Sequence, residues 1–185
     1  MSMVISNDAA KSSTVALVFS PGGDVVDDFI ELLLGHRQTL HWSASVLASL
    51  ELTAHAVTDR VHNENTDVWK VSKHLKQDMW ASRNEKFDVK TLDLIGSTRS
   101  LNTFFVNAAF YSRVCRSALS MLCDIAEMVE PDPMLSPERQ KLTIKAAHED
   151  IQRIKSWYGH LEVKNDFIAR RAEVHLQNVN APKQA

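Results

Sequence analysis

Eight histidines and two cysteines stand in this chain of 185 residues, and their types and spacing decide which chemistry it can carry. No Glu-x-x-His pair of the di-iron bundle kind occurs. There is no His-Glu-x-x-His, and no pair of cysteines at zinc spacing. His55 with Asp59 and His74 with Asp78 stand four apart, so on a helix each pair shares a face. They read as solvated pairs, with metal ligation as the sharper alternative. A Gly-x-Ser-x-Gly elbow and a glycine-rich phosphate loop are both missing, so enzyme activity and a resident cofactor are not expected. A pocket of His41, Trp42, His55 and nearby aromatics is the one catalytic or small-molecule arrangement left, and it requires a well-formed concave cavity.

An acidic series is more pointed. Asp124, Glu127, Glu130 and Asp132 gather where the pattern ends a helix. The macrodipole there is already negative, and each carboxylate costs about 0.3 to 1 kcal/mol. Water can tolerate this, Arg139 and Lys141 across the turn can offset it, and so can a weakly bound magnesium or calcium ion held through one or two carboxylates. These four residues are the candidate metal site.

Late in the chain, Arg153, Lys155, Lys164, Arg170 and Arg171 interleave with Glu149, Asp150, Glu162, Asp166 and Glu173, the pattern of a salt-bridged outer face. Nucleic-acid binding would need an unbalanced basic stripe with exposed aromatics, and 21 basic against 23 acidic side chains leave a net charge of −2. Nucleic acid is therefore not an expected partner.

The elements that must position these groups are helices. Only five glycines and five prolines occur, and Pro131, Pro133 and Pro137 crowd into one stretch, which leaves long uninterrupted segments. Residues 1–23 read as a mobile N-terminal arm, Ser-rich and polar over 1–13, in which Thr14 to Phe19 is β-branched enough for one short strand. Ser20-Pro21-Gly22-Gly23 closes that strand, and no partner strand is evident downstream. A helical bundle domain is expected over 24–180, followed by a tail over 181–185. Its first helix runs from about Asp24 toward His62 with Val26, Ile30, Leu33, Leu40, Ala44, Leu47, Ala54 and Val61 on one seam, interrupted by Arg37, Glu51 and Thr58. A break follows at Asn63-Glu64-Asn65. A second segment, Asp67 to Ser82, carries Val68, Val71, Leu75 and Met79 on one face.

Two heptad stripes organise the second half. One runs through Leu94, Thr98, Leu101, Phe105, Ala108, Ser112, Cys115, Leu119, Leu122, Ala126 and Val129. The other runs through Ile144, Ala147, Ile151, Ile154, Tyr158, Leu161, Asn165, Ile168, Ala172, His175 and Val179. Between them Pro131 stops a helix, Ser136 caps the next, and Pro137 enters its first turn. The expected fold is all-α: an elongated three- or four-helix bundle built on a long antiparallel αα-hairpin, with arms of about 65 Å. Asn165 on the seam fixes register, as buried asparagines do in coiled coils. His175 reads as a packed histidine near a bundle end, with a protonation switch as the alternative.

At roughly 150 residues per domain, the chain should hold one domain with an arm. With 44% hydrophobic residues it has material for a core without disulfides. Cys115 and Cys123 would lie about 12 Å apart along a helix, beyond disulfide reach, and read as buried thiols. No apolar run approaches the roughly 18 residues of a membrane helix, and Val15 to Phe19 behind Lys11 is too short for a secretory signal. A cytoplasmic location is expected.

The segment Leu92-Asp-Leu-Ile-Gly-Ser-Thr-Arg-Ser-Leu101, continuing Asn102-Thr-Phe-Phe105, and the last helix from Ile151, ending Phe167-Ile-Ala-Arg-Arg-Ala-Glu-Val-His-Leu-Gln-Asn-Val179, resemble the soluble region of fungal CorA-like magnesium transporter proteins. In that family the final helix commonly carries an arginine, a glutamine four residues on, and a leucine. Arg171 and Leu176 match, and His175 stands in place of the glutamine. The resemblance implies a long-helix cytoplasmic domain that acts in assembly or divalent-cation sensing, as a homo-oligomer or with a protein partner. It does not extend to conduction, because the chain has no membrane helices and no Gly-Met-Asn pore signature. The resemblance also allows attachment to a membrane domain in a longer protein. The alternative is a stand-alone helical interaction or adaptor protein.

Overall fold

A computed structural model describes residues 2–8, 13–19, 27, 30, 31, 34, 41–83, 94–130 and 135–180, with side-chain surroundings for 27, 30, 31, 34, 46–77, 96–130 and 135–178. Two strands come first, β1 (Ser2–Asp8) and β2 (Ser13–Phe19). They pair antiparallel, with Ser2 opposite Phe19 and Asp8 opposite Ser13. The strand expected over Thr14 to Phe19 lies within β2, and its partner precedes it in the chain. Met3-Val4-Ile5 gives the Ser-rich first segment enough β-forming content to supply that partner, upstream of β2 and not downstream.

The body is helical. Asp27, Ile30, Glu31 and Leu34 are helical, and three long helices follow among the described residues: α1 (His41–Arg83), α2 (Leu94–Glu127) and α3 (Pro137–Asn180). Ile30, assigned to the core seam by its spacing, is exposed, as is Leu34. The break expected at Asn63-Glu64-Asn65 does not occur, and α1 runs through it. Asn and Glu cost a helix only tenths of a kcal/mol, far less than Pro, and Val61, Glu64 and Val68 carry the buried face across the three polar residues.

Hydrogen bonds fix the described helix ends. Ser136 precedes Pro137 at the start of α3, its carbonyl accepts from the Gln140 amide at 2.9 Å, and Gln140 Nε2 donates to the Leu135 carbonyl at 2.9 Å. Glu138 in the first turn suits the positive end of the dipole. At the far end of α2 the Met128 amide is shared between the carbonyls of Asp124 and Ile125. Helical hydroxyls are satisfied locally: Ser72, which is buried, donates to the Val68 carbonyl at 2.6 Å, and Thr53 donates to Ser49 at 2.8 Å. Pro131, Pro133 and Asp132 lie outside the described residues.

By contacts the chain falls into two compact units, Met1–Ala56 with Arg116–Gly159, and Val57–Cys115 with His160–Ala185. Each long helix contributes to both, where the sequence pattern suggested a single bundle domain over 24–180. In the first unit the core takes Leu47, Leu50 and Ala54 from α1, Ala118, Leu122 and Ile125 from α2, and Ala147, Ile151, Ile154 and Tyr158 from α3. Residues 47 to 52 are buried on every side, the condition of a helix segment enclosed all round. In the second unit, Leu75, Leu101 and Ala172 form one cluster from all three helices, with Val71, Phe104 and Leu176 against it.

The α3 stripe is realised almost position for position. Ala147, Ile151, Ile154, Tyr158, Leu161, Asn165, Ile168 and Ala172 are all buried. On α2 the stripe is only half right. Leu101, Ala108, Cys115 and Leu122 are fully buried, but Phe105 is exposed while Ala118 and Ile125 are buried. A helix facing two neighbours buries a wider arc than a two-stranded seam, and here that arc extends toward the 118 and 125 side. Cys123, expected to be buried, is exposed, because it follows Leu122 by one residue and so points about 100° away from it.

Candidate functional site

Long side chains of α1 and α3 meet in the first unit. Glu51 is buried, and Arg153 donates Nη1 to its Oε1 at 2.6 Å and Nη2 to its Oε2 at 3.0 Å. Asp150 Oδ1 receives Nη2 at 3.5 Å. The hydrogen bond to Glu51 raises the Arg153 pKa further, against the effect of burial. Nearby, the fully buried Tyr158 donates its hydroxyl to the Leu50 carbonyl at 2.6 Å. His55 and Trp157 form a T-shaped pair with ring centroids 4.6 Å apart. His55 is exposed, and the side chains of His41 and Trp42 lie outside the described residues.

Polar groups also enter the core of the second unit. Asn107 Nδ2 donates to Glu64 Oε1 at 2.7 Å. Glu64 is buried, and desolvation pushes its carboxyl pKa up, opposed by that hydrogen bond and by Arg60, and reinforced by Asp67. Tyr111 is pushed up in turn, chiefly by burial and then by Glu64. Asn165 is 0% exposed, as its seam position predicts. Among the described residues, neither polar atom of Asn165, nor Glu64 Oε2, has a hydrogen-bond partner. Ser112 donates to Asp166 Oδ1 at 3.4 Å. The Cys115 thiol is pushed up to about 11 by burial and Glu162, so it is a poor nucleophile. His175 is half-buried, and burial, Arg171 and Lys76 lower its pKa.

The acidic series is not drawn together by the described side chains. Asp124, Glu127 and Glu130 are exposed, and Asp132 lies outside the described residues. Among the described residues, no group of three His, Cys, Asp or Glu side chains is placed to hold a metal ion. Arg139 and Lys141 are exposed as well.

An apolar stripe on the outside of α3 was not anticipated. Val163, Phe167 and Val174 are 70%, 57% and 52% exposed. With Arg170 between them they recur at steps of four, three and four, opposite the buried line through Leu161, Asn165, Ile168 and Ala172. Their signal in the sequence was a second three-four rhythm, hidden among charges read as a solvated face. Phe105, Val106 and Phe110 on α2 are exposed too. Trp69 on α1 is half exposed and has the Lys73 ammonium 5.3 Å from its ring centroid, so a charge already occupies its neighbourhood.

Among the described residues, no helix is long and apolar enough to cross a membrane. No protein-family model, curated protein or solved structure matches the chain.

Proposed function

We propose that this chain is a helical assembly module that meets another protein chain through the outer face of α3. The observation that carries this reading is the exposed line of Val163, Phe167 and Val174. Bulky apolar side chains held in register on a rigid helix form the kind of surface that amphipathic helix partners bury. The scaffold is the long antiparallel αα-hairpin of the heptad stripes. In the second unit, Leu101 clusters with Ala172 while Ser112 bonds Asp166, an opposite order along α2 and α3 that supports it. Assembly is the role implied by the resemblance to CorA-like cytoplasmic regions, and it is equally the role of a stand-alone adaptor. Cation sensing through Asp124, Glu127, Glu130 and Asp132 has no comparable observation beside it, so the proposal rests on assembly.

The test places a photo-cross-linking amino acid, p-benzoylphenylalanine, at position 167 of the full chain in living cells. Irradiation should give an adduct with a second polypeptide. No adduct from position 167, from a folded and expressed chain, overturns the reading.

A further inference from the structure

We infer that the partner of this face is a second copy of the same chain, with the two α3 helices side by side, parallel and in register. This rests on the assembly reading and deepens it. Val163, Phe167, Arg170, Val174 and Gln177 lie within about 40° of one line along the helix at roughly 100° per residue. All five are exposed. They occupy the inner positions of a heptad whose rhythm is independent of the core seam.

The charges beside that line are sorted by sign. On one flank, directly after Val163 and Arg170, stand Lys164 and Arg171. On the other, directly before Phe167 and Val174, stand Asp166 and Glu173. Flanking charges of a helix pair set its orientation. In a parallel, in-register pair, Asp166 of one copy faces Arg171 of the other, and the two-fold axis repeats the contact. In an antiparallel pair, acids would face acids and bases would face bases, so the same sequence opposes that arrangement. Asp166 also accepts the Ser112 hydroxyl of its own chain through Oδ1 at 3.4 Å, which leaves Oδ2 as the oxygen for Arg171 of the other copy. Arg170 is the one like-charged residue on the line itself. A single polar residue at an inner position lowers stability while specifying register.

Sedimentation velocity of the full chain over a concentration series tests the pairing. Wild type should be a reversible dimer. Phe167→Glu should raise the dissociation constant about 30-fold or more, with helix content by circular dichroism unchanged. Arg170→Leu, which relieves the like-charge contact, should lower it about tenfold. Orientation is read by Val174→Cys in a Cys123→Ser background. Mild oxidation should link 174 to 174 only if the helices are parallel and in register. A wild-type monomer at all concentrations, a dimer indifferent to Phe167→Glu and Arg170→Leu, or no link at 174 overturns the inference. If position 167 cross-links to a different polypeptide while the purified chain stays monomeric, this inference fails and the assembly reading stands. If position 167 yields no adduct at all, both fail.

Discussion

Arg153 grips Glu51 with two nitrogens across 102 residues of sequence, at 2.6 and 3.0 Å. Glu51 had looked like a flaw in the apolar seam of α1, and Arg153 like one charge among many on a solvated face. The pair explains both, because a carboxylate can sit on a buried seam when a guanidinium answers it with parallel hydrogen bonds. Arg153→Ala should destabilise the protein by about 1 to 2 kcal/mol, a range set by the cost of an unanswered buried carboxylate and reduced by the exposure of the arginine. Arg153→Lys should restore only part of this, since lysine cannot make the fork. Urea unfolding of the two variants checks it, and equal stability for all three proteins would show that the pair contributes nothing.

Asn165 presents the opposite case, a buried amide with no described partner. Its desolvation is uncompensated, so Asn165→Leu should raise stability by about 1 kcal/mol or more while loosening the register of the helices. Thermal unfolding reads the first effect, and loss of sharp near-ultraviolet circular dichroism reads the second. A lower melting temperature in the variant would mean that the amide is satisfied.

Two groups tie stability to pH with opposite signs. Glu64 has a folded pKa above its ordinary 4.5, so the native state holds its proton more tightly, and its contribution is lost as pH rises through the raised value. Glu64→Gln, which keeps the Oε1 acceptor for Asn107, should stabilise the protein at pH 7 and gain nothing at pH 4, as urea unfolding at the two pH values would show. His175 has a folded pKa below 6.5, so its contribution is present above 6.5 and is lost as pH falls through the depressed value. The groups facing His175, Arg171 and Lys76, oppose its protonation. His175→Gln should abolish the loss of melting temperature on acidification below 6.5 that wild type shows through this residue. Parallel pH profiles for the variant and wild type would contradict the assignment.

Gly159 lies inside α3 with nothing within 4 Å of an added Cβ. Gly159→Ala should therefore stabilise by about 0.5 to 1 kcal/mol through backbone entropy alone. A destabilised variant would reveal a close neighbour at that position.

The thiols should separate cleanly. Cys123 is exposed and Cys115 is fully buried, so Ellman's reagent at pH 8 should titrate one thiol per chain at once and the second only on unfolding. Two fast thiols would contradict the burial of Cys115.

How far the fold was legible depended on what each helix faces. The α3 stripe could be read because a strict three-four rhythm from Ala147 to Ala172 coincides with its buried face. The α2 stripe was only partly readable, since Ala118 and Ile125 enter the core beside it and Phe105 leaves it, and a single-seam template has no place for a second neighbour. On α1, three polar residues in a row looked like a boundary, yet no glycine or proline enforced one. The β1 and β2 pairing was missed because the partner lay upstream in a segment read by its serines. At the candidate site, Asn165 was legible as a buried polar position. The Glu51 and Arg153 pair was not, because nothing local records a contact between residues so far apart in the chain. The outer stripe was present as spacing but masked by its charged neighbours.

The most direct test of the account is the solvent exposure of the Phe167 side chain itself. Hydroxyl-radical footprinting of the full chain, dilute and concentrated, should show Phe167 oxidation falling several-fold with concentration while Leu142, 67% exposed in the first unit, oxidises at a constant rate. Equal oxidation of Phe167 at every concentration would contradict an outer face of α3 that closes on a second copy of the chain.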